Sequence, residues 1–282
     1  MPELPEVESA RRVLSSALEG THVVAVQTDD ALVVRGGARG LDGLVGGRFL
    51  RVERRGKRLR LVFEVKGREI SAFSHLGMTG LWVKAEAGEE PVRFERVRID
   101  VAKAKPGKPG KPGGTGKGRG AVVYADARRL GRIVVAEEYA GWKALGPDPL
   151  TDGIDVKRFF EALHTKRRTV KEALLDQRLL AGVGNIHAIE SLWRAKIDPR
   201  SRTDKLTLAD VNVLAKAIKA SIAFGLKHQE TEDPRYVNQG GSNPYRIYGR
   251  KGPCPRCGHP LAKMVLGGRG TVLCSGCQRL VR

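Results

Sequence analysis

Apolar and polar positions divide the chain into a strand-rich first half and a helical second half. Residues 5–18 place Val7, Leu14 and Leu18 on one face and predict an amphipathic helix. From Thr21 to about Glu138, short apolar runs separated by glycine-rich turns predict strands over 23–26, 49–53, 59–65, 70–73, 81–83, 97–101, 121–124 and 132–136. Strands at that spacing read as a sandwich or barrel. Residues 139–153, with Gly146-Pro147-Asp148-Pro149, predict an interdomain linker. Helical spacing then takes over at 156–164, 170–180, 186–194 and 208–224. Between the second and third of these lies Ala181-Gly182-Val183-Gly184-Asn185, where Asn185 suits an N-cap and the glycines allow close backbone approach. A helix start of this kind is either an anion site able to grip a DNA phosphate or an ordinary helix–helix turn.

Composition changes the picture by naming a partner. The 282 residues carry 51 Lys+Arg against 31 Asp+Glu, a formal charge of +20. That balance points to a polyanion, most commonly nucleic acid. No secretory apolar region and no run of eighteen apolar residues is present, so a soluble intracellular protein is expected. Residues 103–120 are rich in Lys, Gly and Pro with no acidic residue, and predict a disordered basic insertion in a strand turn. It either adds nonspecific DNA affinity or stays solvated.

All four cysteines fall in the last 29 residues: Cys254, Cys257, Cys274 and Cys277. Their C-x2-C-x16-C-x2-C spacing is that of a four-thiolate zinc site, and four thiolates leave no open coordination position, so one structural zinc ion is expected. Gly258 and Gly276 suit the tight turns such a site needs. Between the two pairs, 264–266 and 271–273 predict a short hairpin with Gly267, Gly268, Arg269 and Gly270 at its tip. Arg269 there is either a phosphate-reaching group or a solvated turn charge.

The first eight residues, MPELPEVE, carry the sharpest chemical signal. With Met1 removed, Pro2 becomes a terminal secondary amine with a carboxylate beside it at Glu3. An α-amine titrates near 7.7–8, against about 10.4 for lysine, so far more of it is unprotonated at neutral pH. Amines attack carbonyl-type carbons to give Schiff bases, and a secondary amine gives an iminium, a good electron sink. Glu3, Glu6 and Glu8 are candidates for proton transfer. The alternative is an acidic helix start with Pro5 in its first turn.

Several independent motifs occur in one order: MPELPEVE, Gly56-Lys57-Arg58, His75-Leu76-Gly77-Met78-Thr79-Gly80, Asp126-Ala127-Arg128-Arg129-Leu130-Gly131, Leu175-Asp176-Gln177 running into Gly182-Val183-Gly184-Asn185-Ile186, Ile247-Tyr248-Gly249-Arg250-Lys251-Gly252, and the four cysteines. Together they resemble the bacterial formamidopyrimidine-DNA glycosylase (8-oxoguanine DNA glycosylase) family over nearly the whole chain. Leu4 looks like the purine-repair branch rather than the endonuclease VIII-like branch, which typically begins Pro-Glu-Gly-Pro.

The resemblance implies an α+β multidomain fold. It comprises an N-terminal β-sandwich with an N-terminal helix (1–138), a linker (139–153), a helical helix–two-turn–helix domain (154–243) and a zinc-finger hairpin (244–282). It implies a monomeric, cytoplasmic, nucleoid-associated enzyme of base excision repair with no organic cofactor, acting on double-stranded DNA. Pro2 would attack C1′, Glu3 would protonate the sugar ring oxygen, Lys57 would serve β-elimination, and Arg269 would contact phosphates and assist δ-elimination. Met78, Arg128 and Leu130 match positions that fill the gap left when a nucleotide is flipped out of the duplex. Arg167, Lys171 and Asn185 match phosphate-binding positions.

The chain also departs from the family pattern. Leu130 and Ala127 stand where phenylalanine and proline are usual, His187 where tyrosine is common, and Phe94 near a phosphate-binding histidine. The segment 229–245 differs from the usual lesion-recognition loop, which keeps a preference for oxidised pyrimidines or further-oxidised guanines open. A noncatalytic DNA-binding protein is the remaining alternative.

Overall fold

A computed structural model describes residues 2–28, 30–35, 37–86, 89–103, 119–231 and 243–282. The expected basic insertion at 103–120 and the expected recognition loop at 229–245 lie largely outside these residues. The chain forms two compact units. One holds Met1–Pro2 and Val7–Lys143, the other Glu3–Glu6 and Ala144–Arg282.

From Val7 onward α1 (Leu4–Leu18) belongs to the first unit, and it leads into β1 (Thr21–Gln27), β2 (Val34–Arg35) and the short α2 (Gly37–Asp42). Then follow β3 (Arg48–Arg55), β4 (Arg58–Val65), β5 (Arg68–His75), β6 (Gly80–Glu86), β7 (Glu95–Lys103), β8 (Arg119–Asp126), β9 (Arg132–Ala136) and α3 (Ala140–Lys143). Every expected strand is present. The two-residue β2, paired in parallel with β9, was not expected, because two residues are too short to show a period. The strands join in the order β2-β9-β5-β4-β3-β1-β7-β8-β6. A single residue pair, His22 with Arg48, connects β1 to β3, so the sheet folds there into two layers. Trp82 on β6 donates to Ser74 Oγ on β5 at 3.0 Å although β5 and β6 are far apart in the order, which requires the layers to face each other. Val7, Leu14 and Leu18 share one buried cluster with Phe63 of β4 and Ile99 of β7. The sandwich and the apolar face of α1 therefore form one core.

The second unit contains α4 (Val156–His164), α5 (Val170–Leu175), α6 (Asn185–Ala195) and α7 (Leu208–Thr231), then the hairpin β10 (Ala262–Leu266) and β11 (Arg269–Leu273). Asp155 caps α4 through Lys157 N and Arg158 N, and Thr169 with Glu172 forms a capping box on α5. Helix α5 stops at Leu175, short of the expected 180. Asp176 turns extended and accepts from Arg178 N, while the Gln177 side chain binds Leu175 O, Val183 O and Gly182 N. Such local side-chain bonds compete with helical ones. Helix α7 runs past the expected 224 to Thr231, and Gly225 within it lies where Pro5 and His187 approach the helix closely. A Cβ there would come within 2.8 Å of Pro5 Cγ and 3.0 Å of His187 Cε1.

Residues 139–153 are not a free linker. Tyr139 and Trp142 pack their rings on Phe73 in the first unit. In the second, Ala181 N bonds Pro147 O, and buried Asp148 accepts from Leu150 N and Thr151 N. The division between units falls after Lys143.

Candidate active site and metal centre

Glu3 is the centre of the second unit's site. Its carboxylate is buried and accepts three backbone N–H bonds: from Gly184 at 2.9 Å, Ile186 at 2.8 Å and His187 at 3.1 Å. These are the free donors at the start of α6, where the helix dipole also favours an anion. Asn185 was expected to cap this helix. Instead the N-cap is Gly184, with no side-chain cap bond of its own, and the cap arrives from Glu3, 181 residues away. This helix start, which the sequence leaves open as a phosphate grip or an ordinary helix–helix turn, holds the chain's own carboxylate.

Two contacts hold Glu3 in place from either side. Leu4 N donates to Gly182 O at 3.2 Å, and Leu4 is buried among Val170, Leu174 and Val183. Gly182 has φ +100°, and a Cβ on it would lie 2.6 Å from Leu4 Cδ1, so only glycine lets Leu4 close down. Glu6 accepts the Glu3 N–H at 2.8 Å through one oxygen and Gln229 at 3.3 Å through the other. Burial raises the Glu6 pKa; the bond from Glu3 N–H lowers it, and the Glu3 charge raises it again. Burial, followed by the charges of Glu6 and Glu3, likewise raises the Tyr245 phenol.

Glu8, a proton-transfer candidate by sequence together with Glu3 and Glu6, is instead held by two arginines. It belongs to the first unit and takes Arg54 Nε at 2.9 Å and Arg11 Nη2 at 2.8 Å. Burial pushes its carboxyl up, but these guanidinium bonds hold it below the usual range. Pro2, next to Glu3 in sequence, is buried.

The zinc-finger hairpin stands on α5 and α6. Gly267 and Gly268, at φ +60° and +69°, make a two-residue turn between paired Leu266 and Arg269. Arg269 is therefore the first residue of β11 rather than part of a four-residue tip, and it is exposed. Lys171 is fully buried, and its Nζ donates to Thr271 Oγ1 at 2.6 Å, with Arg269 O at 3.4 Å and Leu266 O at 3.5 Å. Burial, and secondarily the Arg269 charge, pushes its pKa down to about 8. Asn185 Nδ2 reaches Gly270 O at 3.0 Å, so a second expected phosphate-binding residue also fastens the hairpin. Arg167 is exposed, 3.9 Å from Asp204.

The four cysteine sulfurs lie within 4.8 Å of one another, and none is in a disulfide. A tetrahedral zinc with Zn–S near 2.3 Å needs sulfurs roughly 3.8 Å apart, and the pairs Cys254–Cys277 and Cys257–Cys274 stand at 3.8 and 3.4 Å. Gly258, at φ +75°, makes the first knuckle, and Gly276 lies where a Cβ would meet the His259 ring at 2.8 Å. The centre fits one structural zinc.

The first unit gathers a different set. Lys57 lies in the two-residue turn between β3 and β4, preceded by Gly56 at φ +57°. Met78 and Leu130 are 39% and 40% exposed, large apolar side chains offered to solvent. Met78 is on the β5–β6 turn, Arg128 and Leu130 on the β8–β9 turn, and Arg128 Nη1 stands 3.7 Å from Met78 Sδ. Asp126, part of the 126–131 motif but given no role by the sequence, organises this corner. One carboxylate oxygen takes Arg128 N and the Thr79 hydroxyl; the other takes Gly131 N at 2.8 Å. The signal available was its place immediately ahead of the Ala-Arg-Arg turn, an Asx-turn position. Gly77, at φ +64°, lies where a Cβ would meet the Leu130 backbone at 2.5 Å, locking the two turns together.

Comparison with known proteins decides the family. A formamidopyrimidine-DNA glycosylase of Thermomicrobium roseum is 34% identical over 300 residues, covering 99% of this chain and 100% of its own. The chain belongs to the formamidopyrimidine-DNA glycosylase family of DNA-repair enzymes. The family's N-terminal domain profile matches residues 1–133, its H2TH domain profile residues 145–233, and the profile of the zinc finger found in FPG and IleRS residues 251–280. The enzyme of Corynebacterium aurimucosum is 35% identical across 99% of this chain and 96% of its own. Among solved structures, a complex of Lactococcus lactis Fpg with DNA containing an abasic site superposes with a TM-score of 0.81 at 30% identity, covering 98% of this chain and 99% of that one. MutM in complex with DNA containing carbocyclic 8-oxo-G gives 0.81 at 28% identity, over 99% and 100%. No described helix is long and apolar enough to cross a membrane.

Proposed function

We propose that this family member is a bifunctional DNA glycosylase and AP lyase. It removes oxidised purines (8-oxoguanine and formamidopyrimidines) from double-stranded DNA, as a cytoplasmic monomer associated with the nucleoid. The observation that carries the reading is the Glu3 carboxylate, buried and oriented by three backbone N–H groups one residue from Pro2. A group fixed that firmly next to an amine is suited to proton transfer in a reaction the amine initiates.

The reaction runs as follows. With Met1 removed, the Pro2 nitrogen attacks C1′ as the damaged base leaves with the glycosidic electron pair. Glu3 takes the proton released from the Pro2 nitrogen and passes it to the sugar ring oxygen, the ring opens, and the freed nitrogen lone pair completes an iminium joining Pro2 to C1′. The iminium withdraws electrons, a C2′ proton is lost, and the 3′ phosphate departs in β-elimination. A second elimination releases the 5′ phosphate. Lys57 assists proton transfer and binds phosphate. Arg269 binds the phosphates flanking the flipped nucleotide. Lys171 and Asn185 act on DNA through the hairpin that carries Arg269, and Arg167 contacts phosphate directly. Met78, Arg128 and Leu130 occupy the gap left in the stack, which needs exposed side chains on a braced turn. The zinc holds the hairpin and enters no step.

Borohydride trapping on duplexes carrying 8-oxoguanine, 5-hydroxycytosine, an abasic site or no lesion tests the reading. A covalent adduct with 8-oxoguanine opposite cytosine is expected. Trapping with 5-hydroxycytosine alone moves the preference to oxidised pyrimidines. No adduct with any lesion, from protein shown by mass to begin at Pro2, removes the catalytic reading altogether.

A further inference from the structure

Helix α6 begins at the Glu3 cradle and ends beside the metal centre. At that end, Trp193 is buried with Ile189, Ile247, Cys254 and Cys274 in a small cluster of their own. Its indole Nε1 points at Cys254 Sγ from 3.5 Å. An indole N–H is a donor only and, once buried, needs an acceptor. A thiol is a poor one, whereas a thiolate makes the bond charge-assisted.

The ring is not free to turn away. The Arg256 guanidinium stacks over it, Cζ 4.0 Å from the ring centroid, and Arg256 Nη1 donates to Trp193 O at 3.0 Å. Arg256 lies between the first two cysteines, so the knuckle itself clamps the indole that donates to its ligand. A cation over the ring face also draws density from the ring and leaves the N–H more polarised.

We propose that Trp193 is an outer-sphere donor to the metal-bound Cys254 thiolate and sets how firmly the finger retains zinc. The N–H···S bond spreads the thiolate's charge in a place where water does not reach it. It also fixes which way the sulfur lone pairs point. Among the described residues, Cys254 is the cysteine whose sulfur takes this bond from α6. The same helix that orients the Glu3 carboxylate at its N-terminus thereby anchors the finger at its C-terminus.

The full-length zinc-loaded protein serves for the test, as wild type, Trp193→Phe and Trp142→Phe, the last a control in the other unit. Zinc transfer to a chromogenic chelator at neutral pH is followed, then the cobalt-substituted proteins are compared by absorption. Trp193→Phe keeps an aromatic ring under Arg256 and loses the N–H. It is expected to retain zinc about tenfold less tightly, in line with the loss of an outer-sphere partner. Its sulfur-to-cobalt charge-transfer band should move to lower energy, because a thiolate without the bond gives up its electrons more readily. Trp142→Phe should match wild type in both. Weaker zinc retention with an unmoved cobalt band would mean that Trp193 only packs, and would overturn the proposal, as would an unchanged protein. If Trp193→Phe fails to fold, benzothienylalanine at 193, which keeps the indole's shape without its N–H, carries the same two measurements.

Discussion

At the residue scale, two titratable groups connect local geometry to measurable behaviour. Glu3→Gln keeps the size of the side chain but turns an NH2 toward donors that require an acceptor. The variant should lose about 1–3 kcal/mol of stability, read by thermal melting. Its single-turnover excision should slow by about 10²–10⁴-fold, the usual worth of a positioned proton donor. Slowing no greater than the stability loss explains would make Glu3 a cap and nothing more. His75 gives the second prediction. Its Nδ1 accepts Gly77 N–H at 3.2 Å, at the entrance to the Met78 turn. Burial, with the charges of Arg58, Lys57 and Arg132, pushes its pKa from 6.5 down to about 4. The folded state therefore binds fewer protons than the unfolded chain between those values. The associated stability is fully present above pH 6.5 and is lost as pH falls toward 4, by at most about 3 kcal/mol. Melting temperature from pH 7 to 5 should fall less in His75→Gln than in wild type. Equal falls would show that His75 titrates as it does in an unfolded chain. Glu3 as a chemical candidate was legible because it adjoins Pro2. Its bonding was not, since its partners are 181 to 184 residues away.

At the element scale, α6 and the turn before it do the positioning. A rule based on neighbours assigns the cap to Asn185, and neighbours are all such a rule can use. The helix instead takes a long-range cap, which leaves the Asn185 carboxamide for Gly270 O. Gly182 makes this possible, so Gly182→Ala is expected to force Leu4 outward and cost about 2–3 kcal/mol from positive φ and crowding together. Excision should fall with it, because Leu4 carries Glu3. A variant that melts and excises like wild type would show that Leu4 is not held by this contact. The same limit explains α5. Its apolar spacing continues to Leu180, but the bonds of Asp176 and Gln177 end it at Leu175. The strands of the first unit were easier to read, because alternation within each run is a local property. Their order was not, since pairing is a choice among distant partners.

At the scale of the whole molecule, charge governs the encounter with DNA. A formal charge of +20 predicts affinity for undamaged duplex that rests on phosphate contacts. If six to ten phosphates are engaged, binding should weaken by about 10³–10⁵ between roughly 50 and 200 mM salt, measurable by fluorescence anisotropy. A flat response would contradict a phosphate-based interface. Residues 139–153 read as linker chemistry in the sequence, while Tyr139 and Trp142 pack on Phe73 and Asp148 is buried. By itself the sequence determined what is carried by residue type and short spacing: the basic charge, the four-thiolate centre, the alternating strands, the helical stripes and the Pro-Glu start. Tertiary structure alone decided which groups those elements serve. Glu3 caps α6, Lys171 is turned onto the finger hairpin, and Asp126 braces the exposed Met78–Arg128–Leu130 corner. Spacing along a chain specifies the local donors and acceptors. Burial and chain reversal settle which of them meet, because each buried polar group must find a partner wherever folding brings one within reach.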